Sequence, residues 1–204
     1  MESMTHWQCL CPQFHDSRTA AHNYIWNALA SLLQKHSPLS IQLETNMANT
    51  SLRVDRKYLN WRPDGIAWNH QTNSAYLLEF TRCADNRNSP LPIALERKEI
   101  KYQPLLDSIR TLNPSLNATL LTFPIGYLGS LDQRQFQLNL TTLSVPPKHH
   151  DNIRQRVIAA TLSSFAKMAA ERTVAHSTLA PKRPVRPWDG LHSPFHPRPP
   201  PPRH

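Results

Sequence analysis

Residues 62–81 read Arg-Pro-Asp-Gly-Ile-Ala-Trp-Asn-His-Gln-Thr-Asn-Ser-Ala-Tyr-Leu-Leu-Glu-Phe-Thr. Two short apolar runs, 65–68 and 75–80, flank a polar stretch over 69–74 that is rich in turn-forming residues. This is the pattern of a β-hairpin. Folding it between Gln71 and Thr72 sets Trp68 opposite Ala75, Ile66 opposite Leu77 and Asp64 opposite Glu79. Side chains alternate faces along a strand, so the two acids emerge on one side, with Cβ atoms roughly 5 Å apart. Carboxylates so placed repel unless something positive lies between them. A hard divalent cation that prefers oxygen, Mg²⁺ first and Mn²⁺ as its substitute, satisfies both.

Outward from the hairpin, apolar periodicity lays out the remaining elements. Asp16 or Ser17 can cap a helix to about Lys35, whose Ala21, Tyr24, Ile25, Ala28, Leu29, Leu32 and Leu33 form a stripe at intervals of three and four. Pro38 stops it, and residues 39–45 alternate as a half-buried strand does. The stretch 46–61 is polar and basic, and its Arg53, Arg56 and Lys57 lead up to the hairpin as candidate nucleic-acid contacts. A solvated loop explains them equally well. Residues 81–88 read as a loop holding an idle thiol, Cys83. Residues 92–111 read as a helix with a proline in its first turn and a second, Pro104, that interrupts it. On that helix Arg97–Lys101 and Lys98–Tyr102 are four apart, so like charges stack on one face and call for a nearby anion, either the carboxylates or a phosphate. Residues 117–124 form a further core strand. Residues 131–148 are ambiguous, because Phe136, Leu138 and Leu140 alternate as in a strand. A last amphipathic helix spans about 150–175.

This order, helix, strand, hairpin, helix, strand, helix, implies an α/β fold with a small mixed sheet. It divides the chain into an irregular segment 1–17, an α/β domain 18–176 and a Pro/Arg/His-rich tail 177–204. Nine of the 19 prolines lie beyond Ala180, in a segment that cannot bury a core and is expected to be disordered or polyproline-like. Such a tail suits a partner that reads proline-rich motifs, though an inert tail fits as well.

Pro63-Asp64, then Glu79-Phe80-Thr81, resembles the PD-(D/E)XK nuclease pattern, in which two acids bind Mg²⁺ and a lysine completes the site. The wider run Arg62-Pro63-Asp64 … Tyr76-Leu77-Leu78-Glu79-Phe80-Thr81 … Glu96-Arg97-Lys98 … Lys101-Tyr102 looks like one branch of that superfamily. The branch is the nuclease-like domain near the end of reverse-transcriptase-bearing retroelement polyproteins, and the resemblance covers about residues 18–130. It implies a restriction-endonuclease-like α/β/α core and Mg²⁺-dependent hydrolysis of phosphodiesters in DNA or RNA. It also implies metal binding by Asp64 and Glu79. The departure is Thr81 where the pattern has lysine. Thr81 brings no positive charge, so Lys98 or Lys101 on the following helix is expected to supply the amine. Failing that, the domain is a nucleic-acid-binding module without catalysis, holding its ligand through Arg53, Arg56, Lys57 and Arg97.

Composition bounds the rest. The 204 residues carry a formal charge of +9, which suits a polyanionic partner. Three cysteines without framework spacing point to a reducing compartment, cytoplasm or nucleus. No apolar stretch is long enough to span a membrane. Cys9, Cys11, His15 and His22 lie close in sequence, and retroelement proteins of the kind resembled often carry a Cys/His knuckle just before the nuclease-like region. The single residue between the cysteines is nevertheless short of the roughly two to four usual in zinc sites, and His22 falls inside the first helix. That spacing argues against Zn²⁺.

Overall fold

A computed structural model describes residues 15–85 and 90–179. Cys9 and Cys11 of the candidate zinc set, and the proline-rich tail from residue 180, lie outside the described residues. The elements run α1 (His15–His36), β1 (Ser40–Leu43), β2 (Gly65–Asn69), β3 (Ser74–Cys83), α2 (Pro90–Leu112), β4 (Asn117–Gly126), α3 (Gln133–Thr142) and α4 (His150–Leu179). A first compact unit ends at Ala169, and α4 continues into a second that begins at Ala170. The sheet and both carboxylates belong to the first unit.

The four strands form one mixed sheet in the order β1-β2-β3-β4. β1 pairs antiparallel with β2, and β2 antiparallel with β3 in the register read from the hairpin, Ile66 opposite Leu77 and Trp68 opposite Ala75. β3 and β4 are parallel from Ser74↔Asn117 to Cys83↔Gly126. A parallel pair needs a crossover, and α2 is that crossover.

Alternation along the strands sorts the core into two layers. Leu78 and Phe80 of β3, with Phe123 and Ile125 of β4, pack against Ile25, Trp26, Leu29 and Leu33 of α1 and against residues of α3 and α4. Ala75 and Leu77, with Ile66 of β2, pack against Tyr102, Leu105, Leu106 and Ile109 of α2 and against Met47, Leu52 and Tyr58. The result is helices on both faces of a small mixed sheet, the α/β/α arrangement expected.

Three local expectations are corrected. Residues 81–83 are strand, not loop, because β4 continues alongside and supplies partners as far as Gly126. β4 in turn runs through Pro124, which is tolerable because β4 is an edge strand. The ambiguous stretch contains a helix, α3, capped by Asp132, whose side chain accepts from the Gln135 N–H. Phe136, Leu140 and Leu143 are buried, a helical spacing of four and three, while Leu138 is exposed.

Beyond β4 the chain turns tightly. Gly129 has φ +85, and a Cβ on Gly126 would collide with the Asp85 carboxylate and the Ser130 hydroxyl. Asp85 accepts from the Leu128 N–H at 2.6 Å, which ties the end of β3 to this turn.

Candidate active site

The strand ends put the two acids together. Asp64 directly precedes β2, and Glu79 lies on β3, where the hairpin register sets them opposite each other. Their contacts interlock. The Asp64 N–H points at Glu79 Oε1 at 3.4 Å, and the Phe80 N–H donates to Asp64 Oδ2 at 2.7 Å. Glu79 is only 1 % exposed. A buried carboxylate survives only where donors replace water.

Those donors come from both helical layers. From α2, Lys98 Nζ donates to Glu79 Oε2 at 2.5 Å, and the Tyr102 phenol hydrogen-bonds the same carboxylate. From α1, on the other face of the sheet, His22 Nε2 comes within 3.5 Å of Asp64 Oδ1, its ring tilted over Phe80 at 5.1 Å. The site therefore sits where β2 begins beside the middle of β3, with a side chain from either layer reaching the carboxylates.

Environment separates the two acids. Burial pushes the Glu79 carboxyl up, the neighbouring Asp64 charge adds to the push, and Lys98 and Tyr102 only partly offset it, so Glu79 lies above the usual carboxylate range. Burial also pushes Asp64 up. There the hydrogen bonds from His22 and the Phe80 N–H, with the charges of His22 and Lys98, outweigh it and hold Asp64 below its ordinary value. Burial and the Glu79 charge push the Tyr102 phenol far above its ordinary value, so it acts as a donor at any physiological pH. Two adjacent acids with values driven apart are a frequent signature of a chemical site.

A cavity of about 350 Å³ opens beside the pair, lined by His15, Arg18, Thr19, His22, Phe80, Thr81, Arg82, Lys98 and Tyr127. Its charged lining is basic and includes no carboxylate. Arg82 is placed by its position on β3, with its guanidinium 4.6 Å from the centre of the Tyr127 ring. The cavity suits an anion, and its His22 and Lys98 are the residues that also contact Asp64 and Glu79.

The structure distributes the candidate residues unevenly. Asp64, Glu79 and Lys98 converge. Lys101, one turn further along α2, instead donates to the Tyr102 hydroxyl at 3.3 Å and lies over the Trp61 ring. Arg62 faces Glu44 at 3.9 Å and so leaves Glu79 to Lys98. Arg97 is exposed on α2. Arg53 is exposed near the far end of α2, where Asn113 holds its backbone and Ser108 that of Asp55, while Arg56 and Lys57 are exposed beside Tyr58, which meets Trp61 and through it Tyr102. Fifteen residues of helical rise from Lys98 to Asn113 put Arg53 roughly 20 Å from the carboxylates. The cations beside the pair are instead Arg18, Arg82 and Lys98, with His15 and His22. The histidines, candidates for zinc, line this cavity. In sequence Arg18, His22 and Asn23 at the start of α1 could face a phosphate, and exposed helix polarity explains them equally well; Arg18 and His22 lie one turn apart and both line this cavity.

The donor set, two carboxylates with an imidazole beside them, suits a divalent cation of the Mg²⁺ or Mn²⁺ class. As the side chains stand, no three His, Cys, Asp or Glu groups among the described residues are gathered closely enough to hold an ion. Lys98 and His22 take the places nearest the carboxylate oxygens. Turning the Lys98 amine away would free Glu79 Oε2.

No protein-family model matches the chain, and no curated protein does. Among solved structures it is similar to a phenuivirus cap-snatching endonuclease, at 13% identity and a TM-score of 0.49, covering 79% of this chain and 68% of that one. Two structures of the Toscana virus cap-snatching endonuclease are similar at 16% and 14% identity, with TM-scores of 0.43 and 0.40. These cover 76% and 74% of this chain and 66% of each of theirs.

Proposed function

We propose that this chain is a divalent-metal-dependent nuclease of the PD-(D/E)XK kind, acting on phosphodiesters of DNA or RNA, with its origin in a retroelement. The retroelement origin rests on the motif run from Arg62 to Tyr102. The nuclease reading rests chiefly on one observation: a lysine amine from α2, not from the motif's own third position, lies 2.5 Å from the buried Glu79 carboxylate beside Asp64. Asp64 and Glu79 would hold the cation, with His22 the nearest further ligand. The ion would offset charge on the phosphate and make its bound water more acidic.

The chain's own groups divide the remaining work. Arg18 and Arg82 line the cavity that a phosphate would enter and would hold its non-reacting oxygens. Lys98, released from Glu79, would carry its ammonium to the attacking water or the leaving oxygen, the role Thr81 cannot fill. Phe80 keeps Asp64 oriented through its N–H and covers the inner wall against water.

A second reading, a binding module without catalysis, is favoured by a different observation: both carboxylates already have protein donors, Lys98 and His22. The two separate on one experiment. Plasmid, branched and single-stranded substrates are incubated with Mg²⁺ or Mn²⁺ and the wild-type chain or Asp64→Asn. The nuclease reading expects metal-dependent cleavage that the substitution abolishes. Salt-sensitive binding without cleavage, equal in both proteins, would leave only the binding module.

A further inference from the structure

The other end of α1 carries a second basic surface. Its last two residues, Lys35 and His36, meet the turn Pro147–His149 that precedes α4. The rings of His36 and His149 stack with centroids 4.0 Å apart and planes 27° from parallel. Lys35, Lys148 and Arg156 are exposed around them, and the two histidines are half-buried. Every charge that acts on His36 is positive, coming from His149, Lys35, Arg156 and Lys148. Partial burial and those charges hold its imidazole below the ordinary range. His150, next in the chain, is buried and turned away onto the Val145 carbonyl at 2.9 Å.

Like charges gathered on a surface repel one another, and an anion relieves the repulsion. A metal ion fits this place poorly. It would find two imidazoles, no third ligand group among the described residues, and three fixed cations opposing it. A phosphate oxyanion finds five donors.

We propose that the surface formed by Lys35, His36, Lys148, His149 and Arg156 is a second contact for backbone phosphates of a nucleic-acid strand. It rests on nucleic acid being the ligand of the proposed function, but not on cleavage. His22 and His36 lie on the same helix, fourteen residues apart, so the surface is roughly 20 Å from the carboxylate pair along α1. An extended single strand, whose phosphates lie roughly twice as far apart as the rise along a duplex strand, covers that span with about four phosphates. A strand of that length or longer touches both places, and a shorter one only the first. Phosphate binding favours protonated imidazoles, so the contact strengthens as pH falls toward the acid side of neutrality.

The test is fluorescence anisotropy on the full chain in EDTA, with labelled single strands of roughly 20 and roughly two nucleotides. In Lys35→Glu/Lys148→Glu, which alters two exposed residues remote from the carboxylates, affinity for the long strand should fall by about tenfold or more. The slope of log affinity against log salt should shrink by about 2. The short strand should bind as before. For the wild type, long-strand affinity should rise between pH about 8 and about 6 more than short-strand affinity does, and His36→Gln/His149→Gln should remove the difference. Unchanged long-strand affinity in the lysine variant, or equal losses on both strands, would overturn the proposal. So would displacement of the long strand by inorganic tripolyphosphate as effectively as by unlabelled strand, which would assign the surface to free polyphosphate. Length-dependent binding with no cleavage under Mg²⁺ would support this surface and sink the nuclease reading alone. Failure of the wild type to bind either strand would overturn both.

Discussion

Leu77 and Glu79 occupy the same face of the same strand, two residues apart, and are equally hidden, at 0 % and 1 % exposed. Leu77 faces Leu105 and Ile109 in a wholly apolar layer. Glu79 faces a lysine, a tyrosine and another acid. The first position converts burial into stability. The second sets burial against a charge and recovers the cost only through donors drawn from α2. The contrast shows where, on this face of β3, apolar packing gives way to a paired charge, between Leu77 and Glu79, while the opposite face stays in the core through Phe80.

The largest expected effects come from exchanging the roles of the two positions. Leu77→Ala should cost about 2–5 kcal/mol of stability in chemical denaturation, with the carboxylate corner intact in whatever fraction stays folded. Glu79→Gln should abolish metal-dependent cleavage; its stability cost should be the smaller of the two, because the Lys98 ammonium it leaves unpaired is 22 % exposed and can turn to water. If both substitutions proved equally destabilising and equally harmless to cleavage, Glu79 would be no more than another core position.

Next in size is the division of labour on α2. Lys98→Met should reduce the cleavage rate by about 10²–10⁴-fold, the usual worth of a positioned proton-transfer group. Lys101→Met should change it by no more than a few fold, because its amine is engaged with Tyr102 and Trp61. Comparable losses in the two variants would remove the special status given to Lys98.

The acids should also part under titration. Glu79 lies above the usual range, so between its ordinary and its raised value the folded chain holds a proton that the unfolded chain has released. Its contribution to stability is therefore present on the acid side and lost as pH rises through that window. Asp64 is depressed, so its contribution is present above the ordinary aspartate range and lost as pH falls through the lowered value. Unfolding followed across acid pH in the wild type, Glu79→Gln and Asp64→Asn should separate the two slopes. In Asp64→Asn, carboxyl NMR should show Glu79 moving down toward its ordinary value, since one of the charges raising it is gone. Smallest of all, Tyr102→Phe removes one donor from Glu79 and should cost about 1 kcal/mol while shifting the Glu79 titration further up.

Much of this corner is legible in the sequence because it is local. The two apolar runs around 69–74 alternate cleanly enough to set the register, and the register alone places Asp64 opposite Glu79. Lys98 and Lys101 stay alternatives in sequence, since three residues along a helix both point toward the same side, and only packing against Trp61 and Tyr102 separates them. His22 as a neighbour of Asp64 is beyond local reading. It reaches the acid from the opposite layer of the sheet, across 42 residues of chain, and its place in α1 points to a phosphate rather than to Asp64. Arg53 looks close to the hairpin in sequence, yet Asn113 holds its backbone toward the far end of α2; Arg56 and Lys57 adjoin Tyr58, which packs through Trp61 onto Tyr102. The helix over Gln133–Thr142 is obscured by Leu138, an exposed apolar residue that completes a false strand alternation between Phe136 and Leu140.

Isothermal titration of Mn²⁺ into the full chain tests the cation site most directly, since it needs neither a substrate nor turnover. The wild type should bind the ion in a manner lost in both Asp64→Asn and Glu79→Gln and retained in Leu77→Ala at temperatures where it remains folded. Absence of binding in the wild type, or binding indifferent to both acid substitutions, would contradict the assignment of Asp64 and Glu79 as metal ligands.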